Sequence, residues 1–127
     1  MRMNDITSTL IPFETIEDNP VVCNLSLSLR MNDNETDQLA AAFKALSHPV
    51  RLQIMDLISQ GGGQICGCDI ERHFDLTQPT ISHHLKVLRD AGLIVSEQRR
   101  VNIFHQVNPA MLITLQTMLA QLSPQIG

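Results

Sequence analysis

The chain has 127 residues, 43% of them hydrophobic, and a formal charge of −4, which suits one domain with a modest core. No apolar run is long enough to span a bilayer and the N-terminus has no signal-peptide pattern, so a soluble, cytoplasmic protein with no membrane partner is expected. Three cysteines cannot pair off completely within one chain, and in a reducing compartment Cys66-Gly67-Cys68 reads as a metal or redox site rather than a structural disulfide.

The charge is unevenly spread. Residues 1–37 set Arg2 and Arg30 against seven acids, a balance of −5, while residues 76–107 set Lys86, Arg89, Arg99 and Arg100 against Asp90 and Glu97, a balance of +2. A local basic patch of that size predicts salt-sensitive but weak non-specific binding to a polyanion, so useful affinity needs a dimer offering two patches.

Residues 1–20 are polar, acidic and aperiodic, with Pro12 and Pro20, and predict a flexible arm. Residues 23–29 alternate, placing Cys23, Leu25, Leu27 and Leu29 on one side of a short strand, with a helix as the alternative. Cys23 is either a small buried hydrophobe or a ligand. The acidic arm is assigned to residues 1–34 and a folded domain to residues 35–127.

From Glu35 the pattern is helical: Leu39, Ala42, Phe43 and Leu46 recur at three and four, with Thr36 or Asn34 as the cap. Ser47-His48-Pro49 breaks that helix and starts another, whose core side carries Ile54, Met55, Leu57 and Ile58. Gly61-Gly62-Gly63 ends it in a flexible loop. A short helix from Cys68 to about Phe74 leads through Asp75 and Leu76 into the most strongly marked element. There Thr77 is an N-cap, Pro79 lies in the first turn, and Gly92 follows the last.

At about 100° per residue, Ile81, Leu85, Leu88 and Gly92 share one face. Pro79, Ser82, His83, Lys86 and Asp90 fall opposite, with Thr80 beside them and Gln78 at the leading end. The first face holds the helix to a core. The second carries carboxamide, hydroxyl, imidazole and ammonium groups, the hydrogen-bonding groups that read base edges in a major groove. Two β-rich runs, residues 93–98 and 101–107, then flank Arg99-Arg100 and predict a hairpin with a basic tip. A helix-turn-helix followed by such a wing is a winged helix, with Arg99 and Arg100 placed for phosphate or a minor groove. The plainer alternative, a surface helix beside an ordinary hairpin, leaves the order of these features unexplained.

Asn108-Pro109 caps a last helix in which Met111, Leu115, Met118 and Leu122 form a stripe, flanked by Leu112 and Leu119. So broad an apolar face predicts packing against a second copy, together with the helix from Glu35; the alternative is that it covers its own core. The expected fold is mainly α with a small β wing, a winged helix-turn-helix forming a homodimer through its N- and C-terminal helices, with double-stranded DNA and itself as partners.

Leu46-Ser47-His48-Pro49-Val50-Arg51-Leu52, Ile65-Cys66-Gly67-Cys68-Asp69-Ile70, the run from Leu76 to Leu93, and Val107-Asn108-Pro109 together resemble the ArsR/SmtB family of metal-sensing repressors over roughly residues 36 to 122. The resemblance implies a homodimer that blocks transcription from a two-fold operator and releases it when an inducer binds. It places Gln78, Ser82 and His83, with Thr80 beside them, on the family's base-reading positions. It also shows two departures: the wing has Arg99-Arg100 where a tip glycine is usual, and Asn102 where an aromatic is common.

Cys66-Gly67-Cys68 stands where arsenic- and cadmium-responsive members of that family carry a Cys-x-Cys pair. Thiolates suit soft ions and reject hard, oxygen-seeking ones. Positions i and i+2 of a regular helix point roughly 200° apart, so one ion can take both sulfurs only at a distorted helix start, which Gly67 makes cheap. Three sulfurs suit three-coordinate As(III), whereas a closed zinc site wants four ligands. The expected metal ligands are therefore Cys66, Cys68 and Cys23, the last reaching in from either protomer. As(III) is the expected inducer, with Sb(III), Cd(II) and Pb(II) as alternatives and no organic cofactor. His73 is read as structural or solvent-facing, His48 as part of a cap and His105 as part of a wing strand. The C-terminal helix has no Asp, Glu or His, so the zinc site of other family members has no ligands there. Two other readings stay open. One is a thiol-oxidation or persulfide sensor on the same fold. The other is a small thiol enzyme, for which no orienting Asp or Asn, oxyanion loop or pocket is legible; no enzyme activity is expected.

Overall fold

The computed structural model describes residues 25–124. The chain divides into two units, Met1–Arg30 and Met31–Gly127. In the first, residues 25–30 are neither strand nor helix, and Leu25, Leu27 and Leu29 are exposed. The alternating segment thus forms no strand in its described part, because alternation specifies a strand only where a partner buries one face. Cys23 and the remainder of the acidic arm lie outside the described residues.

The second unit opens with α1 (Asp33–Leu46), two residues ahead of the expected start. Its cap is Asn32, not Asn34 or Thr36. Asn32 Oδ1 accepts from the Glu35 N–H at 2.8 Å and Glu35 Oε2 accepts from the Asn32 N–H at 3.4 Å, a reciprocal capping box. Leu39, Ala42 and Ala45 are buried, with Phe43 and Leu46 packed at their margin. For α2 (Pro49–Gln60) the cap is His48, whose Nδ1 accepts from the Val50 N–H at 3.1 Å. Ile54, Met55 and Ile58 face inward. The chain then turns through Gly62 and Gly63 at φ 57° and 88°. A side chain at Gly63 would also stand 2.8 Å from Gln106 Oε1, so the turn has a definite shape that only glycine fits.

That turn delivers a strand the sequence does not announce, β1 (Ile65–Cys66), followed at once by α3 (Gly67–Glu71). α4 (Gln78–Asp90) is capped by Thr77 and closes in a full Schellman motif: the Gly92 N–H bonds Arg89 O at 2.9 Å and the Leu93 N–H bonds Leu88 O at 3.0 Å, with Gly92 at φ 79° as that motif requires. Then come β2 (Ile94–Arg99) and β3 (Asn102–Val107), paired in register from Ile94–Val107 to Arg99–Asn102. The sheet is three-stranded rather than two-stranded, in the order β1-β3-β2, because Ile65 and Cys66 pair with His105 and Phe104. Strands this short carry no periodic signal; only the loop bringing them to β3 makes them strands.

At the wing tip Arg100 takes the left-handed position, at φ 57°, that glycine usually fills in a two-residue turn. α5 (Pro109–Leu122) is fastened by Asn108, which accepts from the Ala110 N–H at 3.2 Å and donates to Gly92 O at 2.9 Å. Leu115 is buried and Met111, Leu112 and Met118 are partly so, while Leu119 and Leu122 remain 52% and 64% exposed. α5 therefore covers its own core with one edge of its stripe and leaves the other open.

Candidate functional site

α4 presents the two faces its sequence implies, with one exchange. Ile81, Leu85 and Leu88 are buried, but the fourth buried residue is His84; Gly92 ends the helix instead of packing along it. Gln78, Thr80, Ser82, His83 and Lys86 all lie on the exposed side. Two of these are engaged. The Thr80 hydroxyl lies 2.9 Å from that of Thr77 and belongs to the cap. Lys86 Nζ donates to Asp90 Oδ2 at 2.7 Å, and that hydrogen bond foremost, with the Lys86 and Arg89 charges, lowers the Asp90 pKa. Gln78, Ser82 and His83 make no side-chain hydrogen bond among the described residues, so their tips are free for a partner.

The wing arginines differ from each other. Arg99 pairs with Glu97 at 3.2 Å and its guanidinium lies 5.1 Å from the centre of the Phe104 ring, an arrangement that holds it along the sheet. Arg100, at the turn itself, is exposed. Arg99–Glu97 and Lys86–Asp90 are exposed pairs screened by solvent, so exchanging them for phosphate costs little.

Where the sequence reads as a metal or redox site rather than a structural disulfide, Cys66 and Cys68 are joined as a disulfide, with Cα atoms 5.3 Å apart. Cys66 is buried and Cys68 exposed. The obstacle of a regular helix does not arise, because Cys66 is the N-cap of α3 in extended backbone, φ −93° and ψ 167°. Its sulfur accepts from the Asp69 N–H at 3.3 Å and the Asp69 carboxylate accepts from the Cys66 N–H at 3.1 Å. Cys66, Cys68 and Asp69 thus bring potential donor atoms within 4.8 Å of one another, the one such cluster among the described residues. Asp69 went unread in the sequence although its spacing from Cys66 is that of a capping box. His73 is exposed and outside the cluster.

A cleft of about 400 Å³ opens between these parts. Cys66 and Cys68 form one wall, Gln78, Ser82 and Arg89 of α4 another, and Asn102 and Ile103 of the wing a third. The cysteine pair, the exposed face of α4 and the wing, picked out separately in the sequence, border one space. His105, on β3, is buried beside it with Nδ1 2.7 Å from Ser96 Oγ; burial foremost, then the charge of Arg89, holds its pKa below the usual 6.5.

Residues 48–96 match the profile of a family described as bacterial regulatory protein, arsR family. The arsenical resistance operon repressor of Staphylococcus xylosus is 40% identical over 75 residues, 59% of this chain and 70% of that protein. The chain belongs to the arsR family. The transcriptional repressor SdpR of Bacillus subtilis is 39% identical over 70 residues, 55% of this chain and 76% of SdpR. Among solved structures, an ArsR-like transcriptional regulator from Rhodococcus sp. RHA1 superposes with a TM-score of 0.61 at 22% identity, covering 69% of this chain and 81% of that one. A homodimeric winged helix-turn-helix domain from Mycobacterium bovis gives 0.59 at 23%, covering 81% and 98%. At such identities the structures show the winged helix-turn-helix fold. The arsR family consists of DNA-binding transcriptional regulators, not enzymes, so the cysteine pair belongs to a regulator and not to a thiol enzyme. No helix among the described residues is long and apolar enough to cross a membrane.

Proposed function

We propose that this arsR-family regulator is a cytoplasmic repressor that binds operator DNA as a homodimer and lets go when As(III), or Sb(III), is captured by Cys66, Cys68 and Cys23. Gln78, Ser82 and His83 read base edges, Thr80 and Lys86 support them, and Arg99 and Arg100 hold phosphate. α1 and the uncovered edge of α5, Leu119 and Leu122, supply the dimer contact. The observation that carries the inducer reading is the position of the sulfurs: Cys66 is at once the last residue of β1, hydrogen-bonded to the wing strand β3, and the cap of α3, which leads into α4. A change in bonding at that sulfur acts on the wing and on the reading helix together.

The donor set suits a soft ion. Once the Cys66–Cys68 disulfide is reduced, two neighbouring thiolates with the Asp69 carboxylate close by offer a chelate whose sulfurs thiophilic ions prefer. In the reduced protein each thiol replaces one hydroxyl of arsenous acid: an As–S bond forms, an As–O bond breaks, and the thiol proton leaves with the hydroxyl as water. Three such exchanges use three cysteines. Capture withdraws the Cys66 sulfur from the Asp69 N–H, uncapping α3. Cd(II) and Pb(II) are the next candidates for the same sulfurs.

The disulfide favours a second reading, in which oxidation of Cys66 and Cys68, or persulfide formation on them, is the signal. Operator gel shifts of the reduced protein with arsenite, antimonite, cadmium, lead, zinc and hydrogen peroxide separate the two. Release by arsenite, lost in Cys66→Ser and Cys68→Ser proteins that still bind DNA, supports the first. Release by peroxide with indifference to every metal supports the second. Loss of DNA binding in both variants makes the pair structural and overturns both.

A further inference from the structure

Behind the reading face lies a polar contact that the repressor reading does not use. Arg51, on α2, donates from Nε to Ala45 O in the last turn of α1 at 2.6 Å and from Nη1 to His84 Nδ1 on α4 at 3.3 Å. The His48 ring leans on that of His84, centroids 4.6 Å apart, and His83, the neighbouring base reader, is 6.0 Å away on the outer side. His84 is only 7% exposed. A guanidinium can only donate, so this Nδ1 must offer a lone pair and His84 is neutral, with its proton on Nε2.

We propose that Arg51 and His84 are positioning residues for operator reading: they fix the rotation of α4 on α1 and α2, and a proton on His84 undoes the fixation. The proposal rests on the operator-binding reading above. The apolar contacts of Ile81, Leu85 and Leu88 resist withdrawal of α4 from the core, but hydrophobic contact is non-directional. A hydrogen bond to a charged, planar donor has a direction, and one guanidinium here ties three helices. Turning α4 would swing Gln78, Ser82 and His83 off their base edges.

Protonation sets an N–H of His84 against the N–H of Arg51 and places cation against cation. The groups around it offer no relief. α2 contributes Arg51 and His48, and α4 contributes His83. On the solvent side, Lys44 of α1 shares an open cavity with Arg51 and His83 in which Asp90 is the one carboxylate, and Asp90 already bonds Lys86. Burial first, then His48, Arg51 and His83, keep the His84 pKa below 6.5.

The test uses fluorescence anisotropy of the full chain with a labelled duplex selected from random DNA by the wild-type protein, at about pH 7.5 and about pH 5.5, with circular dichroism confirming the fold at each. Wild-type specific affinity should fall about tenfold on acidification, the scale of one charge-assisted hydrogen bond. His84→Asn, whose Oδ1 takes the place of Nδ1 and binds no proton, should match wild type at the higher pH and lose the acid sensitivity. Arg51→Ala should lose about tenfold in specific affinity with binding to unrelated duplex unchanged. An Asn variant that keeps the wild-type pH profile overturns the proposal, even if Arg51→Ala fails to fold. So does wild-type affinity that rises on acidification, the sign expected if the outer His83 dominates by adding charge at the DNA. If no duplex is selected at any pH, the operator reading itself has failed.

Discussion

α3 and α4 are consecutive helices of one helix-turn-helix, built to opposite specifications. α4 spans 13 residues, has a threonine cap at one end and a glycine-closed Schellman motif at the other, and buries Ile81, Leu85 and Leu88. α3 spans five residues, buries Ile70, and takes as its cap the sulfur of Cys66. A helix so short gains little from its own hydrogen bonds and depends on its cap and its neighbours. The atom that starts α3 is therefore also one of the two sulfurs of the Cys66–Cys68 pair. α4 is held by its own two caps and a row of apolar contacts, and the element leading into it depends on a single sulfur.

Substitutions that exchange or remove those supports sharpen the contrast. Leu88→Ala, at a position with no exposure, should cost about 2–5 kcal/mol of stability, read as a lowered midpoint in urea; a loss below 1 kcal/mol would mean α4 is not seated on the core as described. His83→Ala should leave the melting temperature in place and cost on the order of 1–3 kcal/mol of operator affinity. Arg99→Ala should weaken binding to all duplexes alike and flatten its salt dependence. Thr77→Ala should remove about 1 kcal/mol of stability. For α3 the informative pair is Cys66→Ser against Cys66→Ala in reduced protein. Serine keeps a capping oxygen and should hold the wild-type melting temperature, whereas alanine should lose about 1 kcal/mol. Equal melting of the two would show that the sulfur does not hold the helix start.

The smallest effect is that of pH on stability. His84 and His105 both have folded pKa values below the 6.5 of an unburied histidine. As pH falls past that value the unfolded chain takes up protons that the folded chain refuses. Their contribution is thus constant above about pH 6.5 and is lost progressively toward the folded pKa values. Thermal melts should show a plateau at neutral pH and a decline on the acid side; a melting temperature that rises on acidification would reverse the assignment of both as neutral, buried groups.

Much of this protein was legible because its signals are local. Thr77, Pro79 and Gly92 mark the ends of α4, His48-Pro49 the start of α2 and Asn108-Pro109 that of α5, since a cap acts within one turn of the chain. The exposed side of α4 followed from the helical repeat, as did the core positions Ile81, Leu85 and Leu88. Periodicity failed where a partner decides the outcome. Residues 25–30 alternate yet form no strand, and Ile65–Cys66 form a strand with no pattern at all. His84 reads as polar, and burial was apparent only once Arg51 and His48 stood next to it.

What the sequence determined alone, then, is the inventory and order of helices, the hairpin, the chemistry of the exposed face of α4 and the spacing of two cysteines across one glycine, all of them consequences of bonding within a few residues. Only the tertiary structure decided that β1 ties Cys66 to the wing, that Cys66 and Cys68 are joined beside a cleft shared with α4 and the wing, and that a guanidinium and an imidazole join three helices behind the exposed face of α4. Those contacts span tens of residues of chain, and no local repeat encodes a distance that folding alone closes.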